Sequence, residues 1–282
     1  MHIQIGFDIE LTITSPMAFI YLLHVHPSRS GDLWAPQQIF VSPGLVPEEY
    51  YDAFGNRCGR VNAPAGVGQV RFSSQAVVRD HGLPDEINLG AWQYDPTELP
   101  TATLQFLLPS RYCEVDSELL QFAWNQFGQT PLGWARVQAI CDFVHNHIRF
   151  DYMAARATRT AVEGFREGTG VCRDYTHLAI TLCRCMNIPA RYCTGYLGDI
   201  GIPPVRYPMD FSAWFEVYLG DRWYTFDARH NTPRIGRVVM ARGRDAGDVP
   251  ITMAFGENTL SRFDVTTYEV DEWGNPVLEQ VF

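Results

Sequence analysis

From His2 to Thr14, apolar Ile3, Ile5, Phe7, Ile9, Leu11 and Ile13 alternate with more polar neighbours, the pattern of a long strand with one buried face. A second strand, from about Met17 to Val25, is expected to pair with the first across the Ser15-Pro16 turn. Strand-like pieces recur around Ile39, Tyr50 to Ala53, Arg60 to Asn62 and Val70 to Val78, punctuated by Gly and Pro. The chain to about residue 80 therefore reads as an all-β sandwich or meander. From Asp80 to Thr101 the composition turns to Pro, Gly, Asp and Asn, as in a linker.

The period then changes. Helices are predicted over about Ser117 to Phe127 and Leu132 to Ile148, the second with Val137, Ile140, Cys141, Val144 and Ile148 on one face. A third begins near Cys172, carries Tyr175, Ala179, Leu182 and Met186 at three- and four-residue spacing, and ends before Pro189. Strands follow near Ala190 to Tyr196, Val238 to Ala241 and Ser261 to Val270. Between them, residues 213 to 230 read as a hairpin turning at Gly220-Asp221. An antiparallel sheet packed on helices is an α+β arrangement, and two units are expected: a β-sandwich-like domain with its linker over 1–95, and a helix-and-sheet core over 96–282.

Candidate chemistry gathers in the second unit. Gly168 and Gly170 permit a tight approach to a helix start, which places Cys172 in the first turn of its helix. There the unpaired backbone N–H groups and the helix dipole favour a thiolate and a developing oxyanion, and Arg173 adds a cation. In the hairpin, pairing Leu219 with Arg222 sets Trp214 opposite Asp227 and Ser212 opposite Arg229. Ser212 and Asp227 then share a face as diagonal neighbours.

From roughly Leu132 to Asn231 the chain resembles bacterial transglutaminase-like proteins, a family of candidate cysteine proteases with a papain-like core. The resemblance rests on Thr160-Ala161, Gly170 to Leu178, Asn187-Ile188-Pro189-Ala190-Arg191-Tyr192, Gly195-Tyr196 and Ala213 to Asp227. Residues before about 95 also resemble the all-β region preceding this core in many bacterial members. The resemblance implies Cys172 as nucleophile and Asp227 as orienting carboxylate. Ser212 occupies the slot where the family pattern has the histidine general base, directly before the Ala-Trp pair. A serine hydroxyl does not accept a proton readily near neutral pH, and general-base help is worth about 10²–10⁴-fold in rate. Two functions follow from the resemblance. One is a cysteine-dependent acyl-transfer enzyme, an amide or peptide hydrolase or an amine transferase, slowed unless another base is supplied; the other is a non-catalytic or inactivated protein whose cleft binds a peptide or partner.

Other histidines offer no obvious replacement. His177 lies five residues after Cys172 and is expected to turn away, toward solvent or a loop. His230 follows Asp227 by an odd step and is expected on the opposite face unless the strand breaks. His145 and His147 suit helix-end roles. His24 and His26 alternate along a strand but lack a third ligand, so no metal is expected. No loop of acidic residues at calcium-ligand spacing is present, and no cofactor is expected.

Composition narrows the rest. The net charge of −10 argues against general nucleic-acid affinity, and no apolar run reaches the length of a membrane helix. All 22 basic residues are arginine, so an amine-transferring enzyme of this sequence has no lysine of its own to crosslink. The arginines around Arg234 to Arg237 and Arg242 to Arg244 suit salt bridges better than an anion site. Seven cysteines without a Cys-x-x-Cys pair suit a reducing compartment, and the N-terminal residues lack signal-peptide character, so the cytoplasm is expected. The implied substrate is a peptide or protein amide.

Overall fold

A computed structural model describes residues 1–203, 205 and 208–277. In chain order, the N-terminal strands are β1 (His2–Ile13), β2 (Met17–Tyr21), β3 (Phe40–Ser42), β4 (Glu48–Tyr51), β5 (Arg57–Ala63) and β6 (Gln69–Arg79). There follow α1 (Thr101–Leu104), α2 (Glu118–Phe127), α3 (Trp134–His147), β7 (Arg149–Phe150), α4 (Ala161–Glu167), β8 (Thr169–Gly170) and α5 (Cys172–Cys185). The remainder is β9 (Ala190–Tyr196), β10 (Ser212–Leu219), β11 (Arg222–Phe226), β12 (Val238–Gly243), β13 (Thr252–Ala254) and β14 (Asn258–Val270).

The alternation along β1 is realised: all six apolar residues from Ile3 to Ile13 are buried. They meet Phe19, Tyr21 and Phe72 in one continuous core between two sheets, ordered β14-β1-β6-β3 and β13-β2-β5-β4. The expected β1–β2 hairpin does not form. The bend at Ser15-Pro16 carries the chain from one sheet to the other, so both strands turn apolar faces inward without sharing hydrogen bonds.

The chain also returns to this sandwich at its end. β14 pairs antiparallel with β1 from His2↔Val270 to Ile13↔Asn258, and β13 pairs with β2. β1 is thereby flanked by β14 and β6, with Val265, Thr267 and Val270 of β14 buried. Residues 252–270, which the sequence groups with 96–282, thus hydrogen-bond into the N-terminal sheets. Residues 278–282, the end of that expected unit, lie outside the described residues.

The second core surrounds α5. Asp174 to Cys185 are all buried, enclosed by α2, α3 and α4 and by the sheet β11-β10-β9-β12. A helix buried all round must satisfy its polar side chains internally. Arg184 accordingly donates to the Ala190 and Leu108 carbonyls, and Asp174 meets Arg159 at 3.0 Å. Asp174 also reaches back to accept the Val171 N–H at 2.8 Å. That reach explains Gly170, where a Cβ would fall 2.5 Å from Asp174 Oδ2. Gly168, at φ 60°, closes α4 in the left-handed conformation that admits glycine at little cost.

Candidate active site

The short parallel pair β7–β8 sets Phe150 beside Gly170 and delivers the chain to the start of α5. Cys172 is the first residue of that helix and is half-buried. The Ala213 N–H on β10 lies near its sulfur and favours the ionised form. The hairpin explains why that N–H is free. Its register runs from Leu219↔Arg222 to Phe215↔Phe226, as the two-residue turn predicts, and there it stops. β11 leaves the sheet at Asp227, so the donor that the next pair would have used faces the side of the sulfur.

Asp227 causes the departure. Its Oδ1 accepts the N–H groups of Arg229 (3.0 Å) and His230 (3.1 Å), and its carbonyl accepts that of Asn231 (2.8 Å). From α3, His145 Nδ1 lies 3.2 Å from the Ala228 carbonyl and 2.9 Å from that of Arg229. Carbonyls only accept, so Nδ1 carries the proton and pins the turn. The strand break brings His230 round to Asp227, with Nδ1 2.8 Å from Oδ2, and not to the opposite face that an unbroken strand predicts. Arg229 lies over the Phe150 ring, 4.0 Å from its centroid, which anchors the same turn beside the approach to Cys172.

The faces of the hairpin are defined by what they touch. Ala213 and Phe215 turn into the core around α5. Trp214 turns the other way, 5.1 Å beneath the Arg237 guanidinium, whose Nη2 donates to Asp227 Oδ2 at 2.9 Å. Ser212, by alternation, shares the face of Trp214 and Asp227. Its backbone pairs with Gly195 and its side chain is buried. Of the three candidate residues, Ser212 and Asp227 therefore lie on one face of the hairpin. Cys172 closes the open end, within the field of the Asp227 charge.

The expected thiolate is not the resting state. Burial pushes the Cys172 thiol up to about 11; the Arg229 guanidinium pulls against this, while the Asp210 and Asp227 carboxylates add to it. Removal from water outweighs what the helix start offers. Burial also opposes charge on Asp227, but Arg237 and His230 overcome it and hold that carboxyl far below the usual range. His177 turns away to a loop, one of the two surroundings expected for it, and not to solvent. It is fully buried, stacked on Tyr112 at 5.2 Å, and its Nε2 accepts the Ala246 N–H at 3.1 Å, because the 245–247 loop covers that side of α5. Its burial drives its pKa well down.

The sequence offered one signal for Arg229 and His230, none for His145: after Phe226, Asp-Ala-Arg-His-Asn is poor strand material, and in the structure Asn231 adopts φ 51°. Among the described residues no group of three or more His, Cys, Asp or Glu is placed to hold a metal ion, and no helix is long and apolar enough to cross a membrane.

The family model of the transglutaminase-like superfamily matches residues 122–228, which contain Cys172, Ser212 and Asp227. A solved structure of a candidate cysteine protease from Cytophaga hutchinsonii is 30% identical, covers 99% of this chain and 94% of its own, and superimposes with a TM-score of 0.83. An uncharacterised protein of Mycobacterium leprae (strain TN) is 21% identical over 215 residues, 73% of this chain and 75% of that protein. The chain belongs to the transglutaminase-like superfamily, with the mixed helix-and-sheet core of that family behind a β-rich N-terminal region.

Proposed function

We propose that the protein is a cysteine-dependent acyl-transfer enzyme acting on an amide or peptide bond. Cys172 is the nucleophile, and Asp227 is the carboxylate that organises the proton transfers. The supporting observation is the position of the sulfur: at the first turn of α5, near the Ala213 N–H, where the departing β11 opens the sheet.

Attack by the sulfur on a carbonyl carbon gives a tetrahedral oxyanion. The Cys172 and Arg173 N–H groups, at the start of α5, are suited to receive it, whereas those of Asp174 and Tyr175 already donate to the Val171 carbonyl. Collapse releases the amine and leaves a thioester on Cys172, and water then yields the carboxylic acid. A neutral thiol at rest requires that proton removal accompany attack. Ser212 fills the slot of the usual histidine, and its hydroxyl can position but not deprotonate.

The second reading, a cleft that binds a peptide or partner without turning it over, draws support from Ser212 and from the raised thiol. Hydrolysis of a chromogenic amide or activated ester separates the two. The enzyme releases acid in water, or incorporates an added primary amine, and loses both in Cys172→Ala. Turnover that is absent, or that survives Cys172→Ala, overturns the enzyme reading.

A further inference from the structure

We propose that His230 is the proton acceptor for Cys172, held by Asp227 from the turn after β11 in place of a histidine at position 212. The proposal rests on the reading of Cys172 as nucleophile.

The carboxylate that would orient an imidazole at 212 already carries one. Asp227 is buried and ionised, and an ionised carboxylate only accepts, so Nδ1 of His230 must be the protonated nitrogen in their 2.8 Å bond. That fixes the tautomer of a neutral imidazole with Nε2 as a lone-pair acceptor, the form a general base needs. Among the described residues Nε2 makes no hydrogen bond, and the His230 side chain keeps 24% of its exposure while Asp227 keeps 4%. A histidine serving only to satisfy Asp227 needs no such opening, since Arg237 already donates to the same Oδ2.

The turn that carries His230 is fixed beside the thiol. Arg229 is close enough to Cys172 to be the main charge favouring its ionisation, and it stacks on Phe150, the β-bridge partner of Gly170. His145 pins the carbonyls of 228 and 229. Asn231 is held by Asp142 at 2.8 Å and by Gln138 at 2.9 Å. The charged and titratable groups around the pair are Arg229, Asp210, Asp227 and Tyr152 on the sulfur side; Asp227, Arg237, Arg234 and Cys141 lie about the carboxylate that holds the imidazole, and His145 and Asp142 reach the turn from α3.

The chemistry balances without a further reagent. Nε2 takes the S–H proton as sulfur bonds to the carbonyl carbon, and the imidazolium returns it to the leaving amine as the C–N bond breaks. In the second half His230 takes a proton from water as its oxygen bonds to the thioester carbon, and returns it to sulfur as the C–S bond breaks. The sum is amide plus water to acid plus amine.

The test is the pH dependence of iodoacetamide labelling at Cys172 in the full chain, followed by peptide mapping. Wild type is expected to show a rise at a lower pH than, and separate from, the rise toward the thiol's own ionisation. His230→Asn keeps a donor where Nδ1 stands but has no basic nitrogen. It is expected to lose the lower rise and about 10²-fold or more in neutral-pH turnover. Adding Ser212→His to that variant is expected to restore both. A role confined to shaping Asp227 leaves the lower rise intact in His230→Asn, and that result overturns the proposal. So does a wild-type profile with no rise below the thiol's own, which needs no variant to fold. Turnover that survives Cys172→Ala instead overturns the underlying cysteine reading. Cys172-dependent turnover with an unchanged His230→Asn profile defeats this proposal alone.

Discussion

The two cores bury different kinds of side chain. Between the N-terminal sheets lie Ile3, Ile5, Ile9, Phe19 and Phe72, and the ionisable groups at the margin, His24 and His26, are held neutral. Around α5 and the β10–β11 hairpin the protein buries Asp174 with Arg159, and Asp227 with Arg237. Apolar burial is non-directional and stabilises whatever is packed. A buried ion pair is poor value for stability, but it fixes direction. The sandwich is thus organised for stability, and the second core spends stability on placing a thiol, a carboxylate and an imidazole-bearing turn.

Acid should have the largest effect, and it reaches both cores. Burial, with Arg57 near His24 and Arg242 near His26, lowers both histidines to about 4, against an unfolded value of about 6.5. The unfolded chain therefore binds protons that the folded chain refuses. Stability is fully present above about pH 6.5 and is lost as pH falls toward 4, by about 3 kcal/mol for each. His177, also buried neutral, adds to the same window. Asp227 is depressed in the folded state, so its contribution holds above the unfolded value of about 3.9 and is lost only below it. Urea midpoints across pH 7 to 3 should fall in these two stages. A flat profile between pH 6.5 and 4 would contradict the neutral burial of the histidines.

Next in size is Arg237→Met, which leaves Asp227 buried without its guanidinium and should cost about 3–5 kcal/mol in urea denaturation. A cost under about 1 kcal/mol would mean that the pair does not direct the carboxylate. Ile5→Val, in the sandwich, removes one methylene from a fully buried site and should cost about 0.5–1.5 kcal/mol, leaving the Cys172 labelling profile unchanged. Arg166→Ala breaks an exposed pair with Glu118 at 2.9 Å and should leave the urea midpoint almost unchanged. A larger loss there would blur the contrast between buried and exposed charge.

The same contrast governs what could be read from residues alone. The β1 alternation names its buried face but not its neighbours, so it revealed the strand and misplaced β2, while the pairing with β14 lies beyond any local signal. The hairpin register was legible because a two-residue turn fixes it, and Cys172 at a helix start was legible from the flanking glycines and the stripe that follows. The neutral thiol was not, because helix position is written in the sequence and desolvation arises only from packing. Nor was the Asp227–His230 contact. Residue parity placed the two on opposite faces for as long as the strand continued, and Asp227 itself ends the strand by capturing the N–H groups of 229 and 230.

The most direct measurement is the intact mass and peptide map of the protein quenched during reaction with an activated acyl ester. The account predicts a single acyl group on the peptide containing Cys172, lost in Cys172→Ala and discharged by hydroxylamine as a thioester. A protein that stays unmodified, or carries the group on another residue, would contradict it.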